Sequence, residues 1–207
     1  GKAEAEDLGL DGGALYMRDG VLLVVDVTFL DNAAEELGPD VGGGAISILG
    51  VKKATVIGSV FKGNTGSNGG AIESLNSELD VYNSTFDSNA ALGNGANSDD
   101  ASKCAVVATN GQHQVGSGGN GGAIAIDGGS DGTHTFCGDR FVHNTSGAGA
   151  LGGAIGRTPE LAKQTTVIDR CLFEANTADS GGAAYFHNST LRVVASTFHA
   201  TKAASIG

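Results

Sequence analysis

The side chains with the most chemical capacity in this chain are acids near its middle. Asp99, Asp100, Asp127, Asp131 and Asp139 stand there with Arg140. Two carboxylates at glycosidase spacing could cleave a glycosidic bond, one as acid and one as base or nucleophile. Acids clustered about a calcium ion, with a basic residue beside them, could instead eliminate across a polyuronate. The same residue types also populate turns for purely backbone reasons. His113, His134, His143, His187 and His199 show no His-x-x-x-His spacing, and the cysteines no Cys-x-x-Cys spacing, so zinc is not expected. Asp31, Glu35, Glu36 and Asp40 offer oxygen ligands that suit calcium, but no calcium-loop motif frames them and they read as a solvated acidic turn. The reading is no catalytic residues, no cofactor and no metal.

What must position these groups is a repeat. Gly-Gly-Ala begins at Gly12, Gly43, Gly69, Gly121, Gly152 and Gly181, and each copy is followed by a phenylalanine: Phe29, Phe61, Phe86, Phe141, Phe173 and Phe198. Asn32, Asn64, Asn89, Asn144 and Asn176 close a Phe-x-x-Asn motif in the first five units, and Thr201 takes that place in the sixth. Phe61 to Phe86 and Phe173 to Phe198 are both 25 residues apart, so the minimal unit is 25 residues with insertions elsewhere. A fixed short period of this kind is the signature of a solenoid.

Aligning the units on the phenylalanine gives columns of like residues. Val24, Val56, Val81, Phe136, Ile168 and Val193 stand five positions before it, and Leu15, Ile46, Ile72, Ile124 and Ile155 follow Gly-Gly-Ala. Steps of two mean short strands. The alternation fails at Asp26, Gly58, Asn83 and Gly138, which read as a turn between two strands. Abundant β-branched residues and 35 glycines argue against helix. Three strands and three turns per unit predict an all-β fold, a right-handed single-stranded parallel β-helix of about six coils of about 25 residues with loop insertions. The phenylalanines should then stack inside, and the asparagines should form an internal ladder that satisfies turn backbone. An antiparallel sandwich would fit short strands but not the fixed register.

The pairing of Gly-Gly-Ala-Ile with Phe-x-x-Asn resembles the repeat of the polymorphic outer membrane proteins of chlamydiae. It is similar also to the wider group of bacterial right-handed β-helix repeat proteins of the cell surface. Residues 171–185 and 84–91 carry the resemblance best, and it spans residues 12–198. It implies a secreted passenger used in adhesion, and it brings no catalytic residues. The expected function is a structural or adhesive module, extracellular or on a bacterial surface, whose partner is a surface protein or glycan. A polysaccharide lyase or hydrolase is one alternative, and a subunit of an extracellular filament, binding copies of itself end to end, is another.

The whole chain, 1–207, reads as one β-helix domain with repeat coils over 12–201. A net charge of −11 argues against nucleic acid or an anionic membrane as partner, and no apolar run is long enough to span a bilayer. No signal peptide is evident, which suggests a processed start. The flanks of the repeat are short, so either they cover the open strand edges themselves or the rod continues in further sequence or a stacked neighbour. Two insertions, 35–41 and 90–120, leave the coil between Phe-x-x-Asn and Gly-Gly-Ala; two others, 127–134 and 157–163, leave after Gly-Gly-Ala-Ile. The longest holds the candidate recognition residues Asn94, Asp99, Asp100, Lys103, Gln112 and His113.

Cys104 in that insertion and Cys137 on the rod are the candidate disulfide, which would imply an oxidising compartment; two unrelated thiols are the alternative. Cys171 sits in an interior column shared with Ser59, Ser84 and Ser196 and reads as a small buried hydrophobe. The alignment puts Asp139 in the same column, where a buried acid would need Arg140 or His134 as a partner. The expectation is that the adjacent insertion distorts this coil and turns Asp139 to water. Tyr16 and Tyr185 share an outward register at opposite ends of the chain, and Asn83 and Asn188 open glycosylation sequons.

Overall fold

A computed structural model describes residues 2–3, 12–34, 42–93, 118–128, 132–158 and 164–204. Runs too short and too β-branched for helix become strands of two to six residues, and every strand pairing is parallel. The first sheet stacks Leu15–Arg18, Ile46–Leu49, Ile72–Leu75, Ile124–Asp127, Ile155–Arg157 and Ala184–Phe186. The second stacks Val21–Val25, Lys53–Ile57, Leu79–Tyr82, Thr133–Cys137, Gln164–Asp169 and Ser189–Val194. The third stacks Thr28–Leu30, Val60–Lys62, Thr85–Asp87, Arg140–Val142, Leu172–Glu174 and Thr197–His199. The chain climbs one strand spacing per circuit, giving six coils of a parallel β-helix.

Each coil also has a fourth, minimal strand, where three per coil were expected. Ala33–Ala34, Thr65–Gly66 and Ala90–Ala91 pair in sequence, single bridges through Thr145 carry the row onward, and Thr177–Ala178 pairs with Lys202–Ala203. In the first five coils its cause is the asparagine just before it. Asn64 Nδ2 donates to Asn89 Oδ1 at 2.9 Å and to the Phe29 carbonyl at 3.1 Å, while the Asn64 N–H reaches the same Asn89 Oδ1 at 3.0 Å. Asn32, Asn89, Asn144 and Asn176 continue this ladder. In the middle rungs both amide protons and both oxygen lone pairs are used, and this aligns the next two backbone residues.

The phenylalanines pile in register. Rings from Phe29 through Phe61, Phe86, Phe141 and Phe173 to Phe198 lie 4.7–4.9 Å apart and within 12° of parallel. Burying such a ring is worth roughly 2–3 kcal/mol in transfer free energy alone. Val56, Val81, Ile46, Ile72, Ile124 and Ile155 fill the rest of the interior.

Left-handed residues make the corners. Asp26, Gly58, Asn83, Gly138, Arg170 and Ala195 all have φ between 47° and 73°, three residues before each phenylalanine. Where Asp or Asn occupies a corner, the next coil has glycine. A Cβ on Gly58 would lie 2.4 Å from Asp26 Oδ1, and one on Gly138 would lie 2.4 Å from Asn83 Oδ1. The carboxylate or amide fills the space its neighbour leaves empty.

Among the described residues no helix is long and apolar enough to cross a membrane. The two ends differ: inward-facing Val24 and Phe29 are 5% and 9% exposed, whereas Leu191, Val193 and Phe198 are 43%, 44% and 47% exposed.

Candidate functional site

The long insertion leaves and rejoins the rod at a tied neck. Gly93 and Gly119 both donate their N–H to the Ser67 carbonyl, at 3.2 and 2.8 Å, and Gly147 N–H donates to Gly119 O at 2.9 Å. The strands of backbone are too close for side chains. A Cβ on Gly119 would stand 2.2 Å from Gly93 O, and one on Gly147 only 1.6 Å from it. Beside the neck, Asn120 N–H donates to Asn68 Oδ1 and Leu151 N–H to Asn120 Oδ1, both at 3.1 Å. This second asparagine row escaped the sequence reading, although Asn precedes Gly-Gly in both coils. Asn94, Asp99, Asp100, Lys103, Gln112 and His113 lie outside the described residues, within 94–117.

The insertion boundaries are narrower than the spacing suggested. Ala90–Ala91, Asp127, Thr133, His134 and Arg157 belong to strands, because the neighbouring coils hold their backbones in register.

The acids proposed for glycosidic chemistry do not gather among the described residues. Asp127 closes a first-sheet strand and accepts the Gly128 N–H at 2.6 Å. Arg140 is exposed on the third sheet. Asp139, expected to face water, is instead 1% exposed inside the rod. Neither Arg140 nor His134 pairs with it; its contact is the Ser84 N–H, at 2.8 Å from Oδ1, and Oδ2 has no partner. Burial pushes this carboxyl up to about 7 against the pull of the Ser84 and Cys137 backbone. Asp131 lies outside the described residues, as do Glu35, Glu36 and Asp40 of the calcium candidate. No trio of His, Cys, Asp or Glu among the described residues could hold a metal.

A polar cluster that sequence reasoning missed fills the interior of coils four and five. Arg157 and His134 are fully buried and Gln164 nearly so. Arg157 Nε and Nη2 donate to Gln164 Oε1 at 3.0 and 2.8 Å, and Nη1 donates to the His187 carbonyl. His134 Nε2 lies 3.1 Å from the same Gln164 oxygen, and its Nδ1 accepts the Leu79 N–H at 3.2 Å. Burial lowers the pKa of His134, and it lowers that of Arg157 against the opposing charge of Asp127. Aligning on Gly-Gly-Ala would have found Arg157, which shares a register with Ile126 of coil four.

Outside the second sheet, Lys53 bridges Asp80 at 2.6 Å and Tyr82 Oη donates to Asp80 at 3.2 Å. Cys137 is a free, half-buried thiol that accepts from Arg170 Nη2 at 3.1 Å, while Cys104 lies outside the described residues. His143 sits in a left-handed turn and is exposed, His187 is exposed after a strand, and His199 ends a strand. Tyr16 and Tyr185 share one register on the first sheet, five coils apart, and Tyr16 is 43% exposed.

Comparison with protein-family models, curated proteins and solved structures returned no match.

Proposed function

We propose that this chain is a rigid β-helical stalk element of an extracellular or bacterial surface, presenting the insertion 94–117 to a surface protein or glycan. The neck at Gly93, Gly119 and Ser67 carries the reading. It closes a long insertion at one point on a stiff rod, so less orientational freedom is lost when the loop binds. The resemblance of the Gly-Gly-Ala-Ile and Phe-x-x-Asn repeat to passenger repeats of polymorphic outer membrane proteins supports the same surface role. Long loops on rigid scaffolds are where recognition concentrates.

Because both feet of the insertion bond the same carbonyl, joining Gly93 directly to Gly118 should leave the rod intact. The test is binding of the purified protein to epithelial cells and to an array of surface glycans, with and without residues 94–117. Excision should lower binding at least tenfold while thermal unfolding stays unchanged. Undiminished binding by the excised rod would refute the loop as the recognition surface.

A further inference from the structure

The interior column two residues before each stacked phenylalanine follows one hydrogen-bonding rule. Ser59 Oγ accepts the Val27 N–H at 3.2 Å and donates to the Ile57 carbonyl at 2.9 Å. Ser84 Oγ accepts from Ser59 N–H at 3.1 Å and donates to Tyr82 O at 3.0 Å. Ser196 Oγ accepts from Cys171 N–H at 3.0 Å and donates to Val194 O at 2.9 Å. The Cys171 thiol donates to Asp169 O at 3.4 Å. Each serine accepts a hydrogen bond from the coil before, and each of the four side chains donates to the carbonyl two residues back.

Asp139 stands in this column and meets half the rule. Its Oδ1 takes the Ser84 N–H, but Oδ2 is buried without a partner. An ionised carboxylate is acceptor-only, so it cannot serve the Cys137 carbonyl, the counterpart of Ile57, Tyr82, Asp169 and Val194. A buried charge with one neutral hydrogen bond and no cation is costly.

We propose that Asp139 is held as the neutral acid, its Oδ2–H standing in for the missing serine hydroxyl toward the Cys137 carbonyl, and that releasing this proton to solvent weakens the rod at its fourth coil. Coil three presents Ser84 to it, which carries no charge. Coil five presents Cys171, whose thiol burial, and next the Asp139 carboxyl, push up to about 12, so it remains protonated. On its own coil, Arg140 points outward, and His134 occupies a separate column where burial keeps it neutral.

The direction with pH follows from the raised pKa. Below about pH 4 the folded and unfolded chains both hold the proton. Between that point and about 7 the unfolded chain releases it and the folded chain keeps it, so stability falls as pH rises. Above 7 the loss is complete. His134 acts oppositely: its lowered pKa makes its contribution fade as pH falls below 6.5. Comparison with an Asp139 variant cancels the histidine.

The experiment is urea unfolding of the wild type and Asp139→Ser from pH 4 to pH 8. The folded-to-unfolded ratio of the wild type, relative to the variant, should drop about tenfold per pH unit up to about 7 and then level off. Parallel curves across the whole range would overturn the proposal. Should the serine variant not fold, Asp139→Asn serves in the same comparison. Infrared spectra at pH 6 give an independent reading: a protonated-carboxyl band should be present in the wild type and missing in Asp139→Asn, and its absence from the wild type would likewise overturn the proposal.

Discussion

Coils two and three and coils four and five are built on the same columns and differ in how two of those columns are filled. In the earlier pair the seven-before position holds Ala54 and Leu79; in the later pair it holds His134 and Thr166, all fully or nearly fully buried. The position two beyond the first-sheet isoleucine changes from Ile48 and Ser74 to Ile126 and then Arg157. The backbone ladder is the same in both halves, so it does not depend on apolar filling. In the later half Gln164 Oε1 gives both Arg157 and His134 a partner, while Asp139 Oδ2 is left without one. A repeat architecture can thus exchange hydrocarbon for a hydrogen-bonded network coil by coil, provided the network closes.

The asparagine ladder runs through both halves, and its rungs should be equally costly in each. Asn89→Ala would strand the Asn64 N–H and one of the two Asn64 Nδ2 protons and would take the side-chain donor from the Phe61 carbonyl and from Asn144 Oδ1, which keeps the Asn89 N–H. At about 1–3 kcal/mol for each buried group left unpaired, a loss on the order of 5 kcal/mol is expected. Chemical denaturation of Asn64→Ala and Asn144→Ala should give losses alike within about 1 kcal/mol, the error of such comparisons. A much cheaper Asn144 rung would show that the polar half relaxes around defects and the apolar half does not.

Phe86→Ala probes the apolar half. Its ring is sealed between Phe61 and Phe141, at 4.7 and 4.9 Å, so truncation should cost about 3–5 kcal/mol, as cavities of this kind do. In the polar half the comparable probe is Gln164→Ala. It removes the acceptor of two Arg157 bonds and the His134 partner, and breaking a buried charged network from one side typically costs about 3–5 kcal/mol. Replacing the dependents instead, as His134→Leu with Arg157→Met, removes the buried charge but takes the acceptor from the Leu79 N–H and these donors from Gln164 Oε1, so it should cost about 2–3 kcal/mol. If the double replacement proves worse than Gln164→Ala, the cluster contributes stability of its own and is more than a tolerated substitute.

The columns were legible in the sequence because Phe, Ile and Asn recur at one register, and a period of 25 residues leaves few other folds. Three things were not legible. The fourth strand is two residues long and has no alternation to detect. Arg157 falls at the edge of an insertion by unit spacing, yet strand pairing with Ile126 carries it inward. Asp139 was expected to turn outward because burying an acid is costly. The backbone decides its direction: Thr135 and Cys137 on one side and Arg140 and Phe141 on the other are paired to the coils above and below, which leaves Asp139 the inward-facing place. As for the candidate site, repeat spacing located the insertion, but the neck depends on close glycine contacts between coils far apart in sequence.

The smallest effect should come from the last coil, where the contrast between coils fades into one between middle and end. Phe198 stacks on Phe173 at 4.8 Å but is 47% exposed, so half of what Phe86 gains from burial is absent. Among the described residues no second ring seals it, and truncation leaves a notch open to water in place of a cavity. Phe198→Ala should therefore cost about 1 kcal/mol, the transfer part for a half-covered side chain without the cavity part. Urea midpoints of Phe86→Ala and Phe198→Ala, measured in the same buffer, give the ratio directly. A Phe198 loss as large as that of Phe86 would mean that the exposed face is covered in solution, and in that case the loss should grow with protein concentration if the cover is a second copy.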